Sequence, residues 1–146
     1  MKEKVLQGSW IINAPVEDVY KIISDFENAP KYFPLVAKGM KVISRDGNNL
    51  DIEAITNTFG INFKVKMKTT LIPNKGFKSI NVSKLAIEDE HFTLIPVVEG
   101  TRIEYLNKVT IKNNILKRFS RLIIGKGALK FWEFAYIHRL KKILEK

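Results

Sequence analysis

The sequence predicts an α+β fold, and three observations carry the prediction. The hydrophobic period is helical near the start, changes to two from about residue 37, and returns to helical after residue 112. The middle stretch divides into six β-patterned segments at about 11-residue spacing, with turn chemistry between them. No internal repeat, low-complexity stretch or Gly/Ser/Pro-rich linker divides the 146 residues, so the chain is read as one domain, 1–146.

Residues 4–12 read as an opening strand, β-branched and aromatic toward its end. Asn13-Ala14-Pro15 marks a helix start, a capping-type side chain ahead of a proline in the first turn. Glu17 and Asp18 follow where carboxylates favour the helix dipole. Val16, Val19, Tyr20 and Ile23 then form one apolar helical face, and a second brief helical turn is expected over 28–33 before Pro34. Strands are expected at 38–46, 48–58, 61–71, 77–86, 90–98 and 101–111. The clearest is the fourth of the chain: Ile61, Phe63, Val65, Met67, Thr69 and Leu71 alternate with polar residues, four of the latter five being Asn62 and Lys64, Lys66 and Lys68. Asp51 and Glu53 on its hairpin partner are placed to oppose those lysines. Asp46-Gly47-Asn48, Asn74-Lys75-Gly76 and Glu99-Gly100 supply turns, and the whole reads as an antiparallel meander.

Residues 113–146 carry two helical stripes. Ile115, Phe119, Leu122 and Ile123 share one face; Leu129, Trp132, Tyr136, Leu140 and Ile143 share another, out of phase by roughly 80°. Gly125-Lys126-Gly127 lies where the phase changes, and two glycines in one turn cost about 2 kcal/mol relative to alanine. A kink is expected there, with a helix over 128–144 whose Trp132, Tyr136 and Leu140 pack on the sheet, and a movable flap over 115–124.

Composition narrows the chemistry. With 45% apolar and 10% aromatic residues the chain can bury a core and is not disordered. Cysteine is absent, which excludes disulfides, thiol nucleophiles and thiolate metal sites. Two histidines, His91 and His138, do not make a metal centre without carboxylates, and neither metal nor cofactor is expected. No apolar run approaches the roughly 18 residues of a membrane span, and the first residues lack the apolar core of a signal peptide, so a cytoplasmic location is expected. The net charge of +10 is unevenly spread: residues 1–111 hold 15 Lys/Arg against 13 Asp/Glu, whereas residues 112–146 hold 10 against 2. That basic end suits anionic headgroups or nucleic acid, and equally a solvated helix face.

Strand, two short helices, six-stranded meander and long C-terminal helix make the helix-grip arrangement. Within it, Ala14-Pro15-Val16-Glu17-Asp18-Val19-Tyr20, then Asp25, then Phe33-Pro34, resemble the opening of the START/Bet v 1-like (SRPBCC) superfamily. The similarity is nearest to its polyketide cyclase/dehydrase and coenzyme Q-binding branch, whose pattern runs Ala-Pro-x-Glu-x-Val-aromatic, an Asp, then an aromatic followed by Pro. The resemblance implies a curved antiparallel sheet gripping the last helix around a mainly apolar cavity. Members bind sterols, lipids, quinones, plant hormones or polyketides, and some catalyse cyclisation or dehydration. The shared motif starts a helix and carries no catalytic group, so no functional residue transfers with it.

Site candidates therefore come from this chain's own residues. Phe63, Val65 and Met67, with Leu71, would form an apolar cavity wall, although such a stripe by itself equally fits a filled core. Thr69, Asn81, Ser83, His91, Tyr105 and Asn107 are the polar groups able to join that face. Ser79, Asn81 and Ser83 share one face of their strand and Lys78, Ile80 and Val82 the other, and which face is internal stays open. His91 follows Glu88, Asp89 and Glu90 and reads as an exposed strand start. His138, with Phe131 and Phe134 at seven and four residues before it, suits a cavity-facing polar group or a partly buried tip. No Ser/His/Asp spacing suggests a triad, and Gly125-x-Gly127 is a weak nucleotide signal. Lys117, Arg118 and Arg121 flank apolar residues as in an interfacial helix touching anionic membrane, with RNA or an acidic protein as other partners.

The function expected is binding or transport of a hydrophobic small molecule: a lipid, isoprenoid, quinone or polyketide-like compound. The alternatives are a cyclase or dehydratase using Tyr105, His138 or Asn81, and a ligand-free interaction module acting through the basic C-terminal segment.

Overall fold

The structure is a computed structural model that describes residues 3–58, 61–112 and 126–145. One seven-stranded antiparallel sheet dominates it, in the order β1-β7-β6-β5-β4-β3-β2. Its strands are β1 (Glu3–Ile12), β2 (Ala37–Asp46), β3 (Asn49–Thr58), β4 (Ile61–Ile72), β5 (Gly76–Val82), β6 (Ala86–Val97) and β7 (Gly100–Ile111). Each successive pair from β2 to β7 is a hairpin, and β1 closes the order by pairing with β7. Between β1 and β2 lie α1 (Val16–Ile23), a 3₁₀ turn (Phe26–Asn28) and α2 (Ala29–Tyr32). The chain ends in α3 (Lys126–Trp132), a π-helical turn (Glu133–Ile137) and α4 (His138–Leu144), which follow one another without a break. This is the helix-grip fold that the period changes predict.

The period-two pattern sets the faces. Val65, Met67 and Thr69 of β4 are buried, whereas Lys64, Lys66 and Lys68 are exposed. Asp51 stands opposite Lys68, and Glu53 opposite Lys66, as expected. The turn at Asn74–Gly76 needs unusual backbone: Asn74 has φ 60° and Gly76 φ 121°. A side chain at Gly76 would also strike the carbonyl of Phe92 on the neighbouring strand, so only glycine fits there.

Two boundaries differ from the sequence reading. The strand expected at 77–86 ends at Val82, and the one expected at 90–98 begins at Ala86. Ser83 makes the turn between them: its Oγ accepts hydrogen bonds from the N–H groups of Leu85 and Ala86, both at 3.2 Å. A short polar side chain that bonds its own backbone favours a turn over a strand. At α1 the helix start is as placed, but Pro15 is the N-cap and no side chain caps it. The Asn13 N–H instead donates to the Glu145 carboxylate at 2.8 Å, joining the first loop to the end of α4.

The C-terminal helix lies in the grip of the sheet. Leu140 and Ile137 are fully buried, and Trp132 and Tyr136 pack against the core as partly buried rings. Tyr136 stacks on Phe33 of the α2 turn at 3.9 Å and on Trp132 at 4.8 Å. Trp132 in turn stacks on Tyr105 of β7 at 4.3 Å. Arg139 Nε donates to the Tyr32 carbonyl at 3.1 Å, anchoring α4 to α2. Helical backbone is already present at Lys126, two residues before the expected start. Of the kink expected at Gly125-Lys126-Gly127, Lys126 and Gly127 are helical and continuous with the rest of α3, while Gly125 and the flap over 115–124 lie outside the described residues.

Candidate functional site

Between the concave face of the sheet and the C-terminal helix is a cavity of about 570 Å³. Ile23, Phe26, Phe33 and Val36 close it from the helical side, Val65, Met67 and Phe77 from the sheet. Gly127, Ala128, Leu129 and Phe131 of α3 border it, as do Met40, Thr56 and Asn57 from the β2–β3 hairpin. Most of this wall is apolar. A space of that size, so lined, is in the range of small-molecule sites rather than of packing defects.

One part of the wall is polar. Along β6, Ala86, Glu88, Glu90, Phe92 and Leu94 share a face, and since Phe92 and Leu94 are core residues, the two carboxyl groups point inward with them. Both line the cavity, together with Asn81, Tyr105 and Asn107. Both carboxylate residues are half-buried.

Register explains how the groups meet. Glu90 stands opposite Asn107 on β7 and Glu88 opposite Asn81 on β5, and the hydrogen bonds run along the diagonals. Tyr105 Oη donates to Glu90 Oε2 at 2.6 Å, Asn81 Nδ2 to Glu90 Oε1 at 3.3 Å, and Asn107 Nδ2 to Glu88 Oε1 at 2.8 Å. Behind Asn81, Ser79 Oγ donates to its Oδ1 at 2.6 Å and lies 2.8 Å from Thr69 Oγ1. A chain of hydrogen bonds thus crosses four strands at the cavity wall. It is the means by which buried polar groups offset their lost hydration.

Burial sets the electrostatics. Loss of hydration, with the like charge of Glu90 second, pushes the Glu88 carboxyl from 4.5 up to about 7, against the lowering effect of the Asn107 hydrogen bond. Burial raises Glu90 as well, while donors from Tyr105 and Asn81 and the charge of His91 hold it down. Tyr105 is raised well above the usual tyrosine value, by burial first and then by the two carboxylates. Near neutral pH the Glu88 carboxyl is therefore partly protonated.

The sequence candidates divide accordingly. Val65, Met67, Asn81, Tyr105 and Phe131 are on the cavity wall. The open question over β5 is answered by burial: Ser79 and Asn81 are internal, Ile80 and Val82 exposed. Phe63, Thr69, Leu71, Ser83, His91, Phe134 and His138 are absent from the described lining. Phe63 shares the face of Val65 but sits toward the start of β4, half-buried. Ser83 belongs to the β5–β6 turn. Phe134 is 58% exposed, and His138, also exposed, pairs with Glu133 at 3.6 Å. The helix presents Trp132 and Tyr136 inward, which turns Phe134 and His138 to the outer face. His91 likewise faces away from the cavity and pairs with Asp89 at 3.0 Å. Lys117, Arg118 and Arg121 lie outside the described residues. Among the described residues no group of three or more His, Cys, Asp or Glu could hold a metal ion, and no helix is long and apolar enough to cross a membrane.

Glu88 and Glu90 are the charged residues of the candidate site that sequence reasoning missed. Three acids in a row look solvated, yet the parity of Phe92 and Leu94, carried back along the strand, places both glutamates inside.

Comparison with solved structures supports the architecture. The Zhui aromatase/cyclase from Streptomyces sp. R1128 superposes with a TM-score of 0.83 at 8% identity, covering 99% of this chain and 94% of the other. A START superfamily protein from Mycobacterium smegmatis gives 0.80 at 16% identity, with 97% of each chain covered. A protein from Thermus thermophilus gives 0.78 at 17%, covering 97% and 95%. At such identities the likeness is one of fold. No curated protein matches the sequence. The sequence pattern of the family described as polyketide cyclase/dehydrase and lipid transport matches residues 12–127, from the last residue of β1 into α3, and the chain belongs to that family.

Proposed function

We propose that the chain binds a hydrophobic small molecule, a lipid, isoprenoid, quinone or polyketide-like compound, in the cavity between the sheet and the C-terminal helix. The observation that carries this reading is the cavity itself: about 570 Å³ of space with a mostly apolar wall and one hydrogen-bonding patch. Burial of the ligand drives binding, at roughly 25 cal/mol for each Å² of apolar surface removed from water. The patch around Glu88 and Glu90 orients it. Val65, Met67, Phe131, Asn81 and Tyr105 are the contacts retained from the sequence reading. The family's description, which names both lipid transport and cyclases, supports such a ligand.

Cyclase- or dehydratase-type catalysis is the second reading, and one observation favours it. A carboxyl group raised to about 7 beside a second carboxyl and a tyrosine is suited to moving protons at neutral pH. Native mass spectrometry of gently purified protein tests the primary reading. A co-purified apolar compound, lost on denaturation, is the expected result; bare protein that also fails to take up added apolar compounds contradicts it.

A further inference from the structure

The donors of the hydrogen-bonding patch are engaged within it: Tyr105 and Asn81 donate to Glu90, Asn107 to Glu88 and Ser79 to Asn81, each amide through one of its two N–H bonds. On the acceptor side, Asn107 is 3% exposed, lines the cavity, and its Oδ1 has no hydrogen-bond partner. Glu88 accepts a single hydrogen bond, from Asn107, among the described residues. A buried carbonyl oxygen without a donor costs free energy that a neighbouring protein group would normally recover. Here no described neighbour does, and Asn107 belongs to the cavity lining.

From this juxtaposition of an unpartnered Asn107 oxygen and the Glu88–Glu90 pair on one apolar cavity wall, we propose that the ligand carries a hydrogen-bond-donating, cationic head, of the class of an alkylamine or related basic nitrogen compound. The inference rests on the ligand-binding reading above and specifies its head group. A protonated amine offers up to three N–H donors. It fills the free acceptor capacity of Glu88 beside Asn107, and its charge offsets that of the half-buried carboxylates. A fatty carboxylate brings further acceptors and like charge to the same place, and is rejected. This selectivity opposes the protein's overall field: with a net charge of +10, long-range attraction favours anions, so a preference for amines must come from the cavity.

The test compares decylamine, 1-decanol and decanoate, matched in chain and differing in head, by isothermal titration calorimetry at about pH 8. Decylamine is expected to bind at least about tenfold more tightly than decanoate, the worth of one charge-assisted contact, with decanol between them. Glu88→Gln, which keeps the shape and removes the charge, is expected to abolish most of that preference, read as the ratio of decylamine to decanoate affinity. Decanoate binding as well as decylamine, or a preference that survives Glu88→Gln, overturns the inference and leaves the apolar-ligand reading standing. Failure of all three to bind overturns both.

Discussion

Glu88→Gln also makes a stability measurement that needs no ligand. The Glu88 carboxyl is raised from 4.5 to about 7 in the folded protein. Between those values the folded state retains a proton that the unfolded chain has already released. Stability linked to this group is therefore complete below about pH 4.5 and falls as pH rises toward 7. The titratable groups coupled to it are Glu90 on its own strand and Tyr105 on β7, with Tyr136 of the C-terminal helix coupled to Glu90, and of these only Glu90 adds charge near neutrality. About 2.5 pH units at about 1.4 kcal/mol each amount to about 3–4 kcal/mol. The glutamine variant, uncharged at every pH, escapes that loss. It should match the parent at about pH 4 and exceed it by about 3–4 kcal/mol at about pH 8, a rise in Tm of roughly 6–16 °C for a chain of this size. Urea unfolding followed by tryptophan fluorescence reads this directly, since Trp10 and Trp132 lie 5.5 Å apart in the core cluster. Parallel stability curves for the two proteins across that range would refute the argument that Glu88 is a desolvated carboxyl facing the cavity.

Three further outcomes are expected. Leu140→Ala, at a fully buried position in α4, should cost about 2–5 kcal/mol, read by urea titration, because the core cluster loses a fully buried side chain. Val65→Phe fills cavity space from β4; decanol binding should fall at least about tenfold while the loss of stability stays below about 3 kcal/mol. Exchange of Lys117, Arg118 and Arg121 for Glu addresses the proposed contact of the basic segment with anionic membrane: at about 1 kcal/mol per charge, sedimentation with anionic liposomes should be nearly abolished, with decanol affinity retained.

The fold was legible because its signals are local and repeated. Alternation in β4 assigned both its faces, and the Trp132, Tyr136, Leu140 stripe identified the helix that the sheet grips. What escaped was polar structure stabilised by distant partners. Glu88 and Glu90 are tolerated inside only because Asn81, Tyr105 and Asn107, from two other strands, donate to them, and no local pattern announces such a network. Local charge also misled at the β5–β6 boundary, where the acids suggested a late strand start, although the turn was made earlier by Ser83. On the C-terminal helix, the spacing of Phe131, Phe134 and His138 describes a real face. Only the first of the three borders the cavity, because the inward positions are taken by Trp132 and Tyr136. The π-helical turn at Glu133–Ile137 had no sequence signal at all; such turns recur at functional sites, and this one carries Tyr136 onto Phe33.

Methyl NMR during titration with 1-decanol tests the central claim most directly, because it locates the ligand. The account predicts shifts concentrated on the methyl groups of Ile23, Val36, Val65 and Met67, which line the cavity, with Ile80 and Val82 on the opposite face of the sheet unmoved. Shifts centred on Ile80 and Val82, or cavity methyls unchanged at saturating decanol, would contradict it.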